Sequence, residues 1–196
     1  MIELLKSYCV SDKSDPRTYL YNPFKLGEFI YATNGHVAVR IPDDGSIQAA
    51  EIEQVKRIET YFSGTRGALM DIPELPVAKP CIHCLGKGVG YPNETCEECD
   101  GDGEFKFGTH YYECKECDGE GKVDSDEGEG DACDYCYGTG EERNQIVKVG
   151  VAHFSRRYLA KISALPNVMF YTPTNENDIC LFVFEGGEGC IMPMRA

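Results

Sequence analysis

Apolar and polar positions fall into helical and strand-like periods on either side of a cysteine-rich middle. Near the start, IELLKSYCV predicts a helix and TYLYNPFKL an extended stretch. EFIYAT and HVAVRI then flank Asn34-Gly35, and an Asn-Gly pair between alternating apolar runs predicts a two-residue hairpin. IQAAEIEQVKRIETYF places Ile52, Val55, Ile58 and Tyr61 on roughly one helical face. After the middle segment, QIVKVGVAHF (145–154) is strand-like. SRRYLAKISAL (155–165) is helical, with Ser155 as N-cap, Tyr158, Leu159, Ile162 and Leu165 at helical spacing, and Pro166 marking the stop. NVMFYT, DICLFVFE and GCIMPMR predict three short strands, separated by the turn-forming clusters TPTNEN and GGEG. The two flanks thus read as αβββ, followed by a helix, and βαβββ. With residues 1–78 and 143–196 as its halves, a single α+β domain interrupted by a module over 79–142 is the expected architecture.

The middle segment repeats one motif four times: CIHCLGKG from 81, CEECDGDG from 96, CKECDGEG from 114 and CDYCYGTG from 133. Two thiolates separated by two residues grip one ion from a single turn, and two such turns complete a tetrahedral site. Four pairs therefore imply two zinc ions. The glycines allow the sharp turn after each second cysteine, where positive φ is needed. Iron–sulfur ligation, a disulfide framework and a thioredoxin-like redox pair are the competing readings of such cysteines. Compartment weighs against disulfides: MIELLKSYCVSDKSD has no basic stretch before its short apolar run, and no segment approaches the apolar length of a membrane span. A soluble, cytoplasmic chain is expected, and a reducing cytosol favours metal. Cys9, Cys180 and Cys190 stand alone and read as core cysteines.

Four Cys-x-x-Cys-x-Gly-x-Gly copies resemble the cysteine-rich domain of DnaJ-type co-chaperones, over about residues 79–142. The resemblance implies a bent, β-hairpin-like module in which the first and fourth repeats share one zinc and the second and third the other. Cys81, Cys84, Cys133 and Cys136 would form the outer site, and Cys96, Cys99, Cys114 and Cys117 the inner. No His-Pro-Asp triplet is present, so the J-domain of those co-chaperones is missing from this sequence.

A second resemblance lies in the flanks. YATNGHVAVR is similar to the Ala-Thr-Asp-Gly-His hairpin of bacterial DNA polymerase sliding clamps, CIMPMRA to the Met-Pro-Met-Arg ending of the same clamps, and HFSRRYLAKISAL to their penultimate strand and helix. This implies one clamp-like domain, whereas a clamp protomer holds three. It also implies that Met192, Pro193, Met194 and Arg195 help line an apolar groove for partner peptides; the plain alternative is that Ile191, Met192 and Met194 close the core. His36 and His153 read as structural.

Charge separates the parts. Of the formal −14 on 196 residues, residues 81–140 carry sixteen Asp and Glu against four Lys. Such a lobe attracts basic surfaces and repels phosphate backbones, so direct nucleic-acid binding by the finger is disfavoured. Glu97, Glu98, Asp100 and Asp102 are candidate partner contacts. DSDEGEGD (124–131) lacks the full EF-hand pattern and reads as an acidic loop; Asn93-Glu94-Thr95 has no secretory context. No P-loop, Rossmann fingerprint, His-Glu-x-x-His or Gly-x-Ser-x-Gly occurs. The expected function is a two-zinc, non-enzymatic protein-interaction protein acting on replication, repair or defence machinery, a role that would suit a phage or mobile-element inhibitor whose acidic surface imitates DNA. The alternatives are an unfolded-protein binder or thiol-disulfide oxidoreductase, and a small DNA-tracking ring subunit.

Overall fold

A computed structural model describes residues 2–11, 15–47, 57–64, 66–90, 92–125 and 130–195. The chain forms two units: Met1–Val77 joined by Asn144–Ala196, and Ala78–Arg143. The fold is mixed, built of antiparallel sheets with three α-helices among the described residues.

The first unit contains helix α1 (Ile2–Ser7), a 3-10 turn at Thr18–Leu20, strands β1 (Phe24–Leu26), β2 (Phe29–Thr33) and β3 (Val37–Pro42), helix α2 (Ile58–Tyr61) and strand β4 (Leu69–Met70). The second unit supplies β5 (Asn93–Thr95), β6 (Glu104–Phe107), β7 (His110–Glu113) and β8 (Lys122–Asp124). The first unit resumes with β9 (Ile146–Val149), β10 (Ala152–Ser155), α3 (Arg156–Ser163), β11 (Met169–Tyr171), β12 (Cys180–Phe184) and β13 (Gly187–Ile191). Seven of its strands form one sheet in the order β1-β2-β3-β13-β12-β11-β4, so that β13 joins β3 across the insertion.

Strand alternation sorts the sheet's side chains onto two faces. Ile30, Ala32, Val37, Val39, Ile41, Phe182 and Ile191 pack on one face with Leu5 of α1, Phe154 of β10, and Leu159 and Ile162 of α3. The Tyr8 hydroxyl donates to the Lys161 carbonyl at 3.1 Å, and the Lys161 ammonium to the Ser7 carbonyl, fastening α3 to the end of α1. Tyr31, Ala38, Leu181 and Cys190 turn to the other face, against Ile58 and Phe62. Arg40 points the same way, 4.1 Å above the Phe29 ring and 4.2 Å from that of Phe62, and pairs with Glu188 across the β3–β13 seam at 2.5 Å. Burial raises the pKa of the Cys180 and Cys190 thiols to about 12, so both behave as apolar packing groups.

Several expectations shift in detail. The hairpin between β2 and β3 turns on Gly35 and His36 rather than Asn34-Gly35: Gly35 takes the left-handed conformation at φ 87°, and the Asn34 carboxamide accepts the His36 and Val37 N–H groups. Residues 145–154 form not one strand but the β9–β10 hairpin, because Gly150 turns back at φ 60°. The second flank is therefore ββαβββ. Ser155 holds the N-cap position of α3, but its side chain makes no capping bond. The GGEG turn begins earlier, and Glu188 and Gly189 belong to β13. Gly189 sits opposite Phe182, where a Cβ would come within 2.1 Å of the ring, so packing demands this glycine. The last strand ends at Ile191, and Met192–Arg195 continue without strand structure. Of the helix expected over residues 47–62, only its end is seen, in α2; Ile52 and Val55 lie outside the described residues.

Candidate metal centres

Each repeat folds into the same small turn. The first glycine donates its N–H to the carbonyl of the first cysteine, as from Gly86 to Cys81 at 3.2 Å and from Gly101 to Cys96 at 3.1 Å. The second glycine donates to the sulfur of the second cysteine: Gly88 to Cys84, Gly103 to Cys99, Gly121 to Cys117 and Gly140 to Cys136, each at 3.2 Å. Between cysteine and glycine, Leu85, Asp100, Asp118 and Tyr137 all adopt φ of 44–55°. A left-handed non-glycine residue costs about 1 kcal/mol, and the turn accepts that at the same place four times.

Reciprocal backbone bonds then pair the repeats. The Cys81 N–H donates to Gly140 at 2.7 Å and the Cys133 N–H to Gly88 at 2.9 Å; the Cys96 N–H donates to Gly121 at 3.0 Å and the Cys114 N–H to Gly103 at 2.9 Å. The first repeat thus joins the fourth, and the second joins the third. Approach is close enough that a Cβ on Gly103 or Gly121 would lie 2.2 Å from the carbonyl oxygen of Gly119 or Gly101. This role of the second glycine was missed in the sequence, although its presence in all four copies is the visible signal. Outward from the paired ends, the antiparallel contacts run from Lys79–Glu142 and Pro80–Glu141, through Val89–Ala132 and β5–β8, to the β6–β7 hairpin.

The pairing brings Cys81, Cys84, Cys133 and Cys136 together, and Cys96, Cys99, Cys114 and Cys117, with all four sulfurs of each set within 4.8 Å of one another. All eight are buried. Cys84 and Cys136 stand 3.8 Å apart, Cys96 and Cys114 3.8 Å, and Cys99 and Cys117 3.7 Å. A tetrahedron with zinc–sulfur bonds of about 2.3 Å has sulfurs about 3.8 Å apart, so the donor set fits a single zinc. A multi-iron cluster would hold its cysteines farther apart, and the eight thiols are free rather than disulfide-bonded. Each tetracysteine site is positioned to bind one metal ion, consistent with two zinc ions.

Without metal the sites resist ionisation unevenly. Burial pushes the pKa of Cys81 up to about 11 and of Cys96 up to about 12. At Cys84 burial is outweighed by the Gly88 N–H and the neighbouring thiols, which bring it down to about 7. Thiols with raised pKa keep their protons at neutral pH, so the metal must expel them, and acid favours the metal-free form. Zinc binding at pH 7 should therefore release more than one proton per ion, and apparent affinity should fall more than tenfold per pH unit below 7. Calorimetry in buffers of different ionisation enthalpy measures both.

The other candidate residues scatter. Glu97, Glu98, Asp100 and Asp102 are all exposed around the inner centre. On the first unit, Met192 lines a cavity of about 240 Å³ with Thr33, Gly35, His36, Val37 and Cys190, and with Arg17 and Arg57. Pro193 and Met194 are half-buried outside that lining, and Arg195 is exposed. His36 stacks on Tyr158 at 5.3 Å, and the His153 carbonyl accepts the Met194 N–H at 2.7 Å. No helix among the described residues is long and apolar enough to cross a membrane. Comparison with protein-family models, curated proteins and solved structures gives no match. The chemistry that stands is that of two buried tetracysteine sites within a mixed, antiparallel fold.

Proposed function

We propose that the chain is a zinc-dependent, non-enzymatic protein-interaction protein, with a clamp-like scaffold carrying a DnaJ-type finger, that acts on DNA replication, repair or defence machinery. The cavity beside Met192 carries this reading. Its walls bring together the Thr33–Val37 hairpin and the terminal Met192 segment, two of the three stretches whose sequences resemble sliding clamps. An apolar floor of Ala38, Ile58, Cys190 and Met192 suits a partner's apolar side chains, and Arg57 suits its carboxylates, beside an Arg17 that Asp15 holds at 2.7 Å. The finger adds an acidic surface that steers basic partners.

The test is affinity capture from a bacterial lysate, with and without nuclease, followed by kinetics on the captured partner. A single stoichiometric protein that survives nuclease is expected. Met192→Arg, which places a third cation in the cavity, should raise the dissociation rate at least tenfold, about 1.4 kcal/mol. Reversing Glu97, Glu98, Asp100 and Asp102 to lysine should instead slow association and flatten its salt dependence. Many denatured clients would point to a chaperone-like binder, and loss of all binding after nuclease to a DNA-tracking ring; either result overturns the reading.

A further inference from the structure

At the end of the finger, β6 and β7 form a two-residue hairpin through Gly108 and Thr109, with Phe105 opposite Tyr112 and Phe107 opposite His110. Directly opposed residues share a face, and so do residues two apart. Phe105, Phe107, His110 and Tyr112 therefore lie on one face, and Glu104, Lys106, Tyr111 and Glu113 on the other. The aromatic face covers no core: Phe107 is 78% exposed, Tyr112 55% and Phe105 41%. Rings left in water at this density mark a contact surface. Among the described residues the ribbon has two strands, so each also presents an open outer edge.

The surrounding charge selects what covers it. Between Cys96 and Asp118 there are eight carboxylates and two lysines. Single-stranded nucleic acid stacks on aromatic platforms set in basic grooves, the opposite of this setting. Anionic lipid surfaces are repelled for the same reason, and a second copy of the ribbon would bring like charges together. A strand added to an open edge, in contrast, places alternate side chains on alternate faces. Its apolar residues would extend the aromatic face, and its basic residues would meet Glu104 at the β6 edge or Glu113 at the β7 edge.

We infer that the Glu104–Glu113 ribbon is a docking edge for an extended protein segment alternating apolar and basic residues, which pairs with the ribbon and lays its apolar side chains beside Phe105, Phe107 and Tyr112. This rests on the protein-binding reading above and gives the finger's own partner a chemistry.

The probe is a fluorescein-labelled peptide of six Leu-Arg repeats, titrated by anisotropy into the zinc-loaded full chain beside a Ser-Arg peptide of equal charge and a twelve-residue oligo-dT. The Leu-Arg peptide should bind at least tenfold tighter than either. Phe105→Ser with Phe107→Ser should weaken it at least tenfold, whereas Tyr111→Ser on the opposite face should change it less than twofold. Zinc content reports whether each variant keeps its finger. As a measurement free of substitution, amide shifts in the wild-type chain should move chiefly within residues 104–113. Equal binding of both peptides, tighter binding of oligo-dT, an unaffected double variant or shifts located elsewhere overturns the inference. So does a dimer that forms through this face in place of peptide binding. Leu-Arg binding lost in Met192→Arg but kept in the double variant also overturns it, while leaving the scaffold cavity as a protein-binding site.

Discussion

Stripped of zinc by a strong chelator, residues 78–143 are expected to unfold while the seven-stranded sheet persists. The reason is what the finger buries. Its two buried clusters are four cysteines each, with Tyr135 packed against one and Val123 against the other. Two cysteine clusters of this size cannot offset the conformational entropy of ordering the segment, roughly 1–2 kcal/mol per residue for the backbone alone. Metal must supply the difference, and structural zinc sites in small fingers contribute about 10–16 kcal/mol of apparent binding free energy at neutral pH. The scaffold has its own cluster of large apolar residues, including Phe154, Phe170 and Phe182. Amide exchange should show protection lost from Cys96, Cys114 and Gly121 and retained in Val39 and Phe182. Cys96→Ser should leave one zinc per chain, and Cys81→Ser should release the other. A metal-free finger that keeps its exchange protection would show that zinc is not its core.

Gly121→Ala should cost the inner centre at least a hundredfold in zinc affinity, about 2.7 kcal/mol. The new methyl would sit 2.2 Å from the Gly101 carbonyl oxygen, a backbone atom held by the turn that presents Cys96 and Cys99. Gly121 also has φ 72°, so the substitution is strained even before the clash. Relief requires the second and third repeats to separate, which breaks the Cys96–Gly121 hydrogen bond and widens the sulfur tetrahedron. Gly108→Ala is the control, with φ 64° but nothing within 4 Å of its Cβ. It should cost only the left-handed strain, about 1 kcal/mol. Chelator competition resolves the two sites. Equal, small effects at both glycines would mean that the repeats are more loosely paired than these contacts require.

Period and turn chemistry made much of the scaffold legible. Leu159, Ile162 and Leu165 keep helical spacing and are buried, and alternation in β2 and β3 places Ile30 and Val39 on one face and Tyr31 and Ala38 on the other. What escaped was decided by contacts between distant residues. Gly189 looks like a turn residue until Phe182 is found against it. Gly150 interrupts an apolar run too short to announce two strands. The cysteine spacing revealed two tetrahedral sites, but the hydrogen bonds from Cys81 to Gly140 and from Cys96 to Gly121 link residues too far apart for any local pattern to show. The cavity is illegible for the same reason: Thr33, Ile58 and Met192 meet only when β13 pairs with β3.

The closed base of the finger also bears on the order in which the molecule assembles. The Glu142 N–H donates to the Lys79 carbonyl at 2.8 Å, and Gln145 Nε2 donates to the Val77 carbonyl at 3.0 Å, so chain enters and leaves the insertion at neighbouring points. Until those ends meet, β3 must find β13 across a loop that includes all of Ala78–Arg143. Once zinc has closed the outer centre, that stretch counts as a tether of a few residues, the loop between Pro42 and Gly187 shortens to a little over half its length, and the entropy cost of bringing the sheet's two halves together falls by about 0.5 kcal/mol. A finger that captures metal early therefore acts as a clasp for the central seam of the sheet, shortening the search for its slowest, most distant pairing.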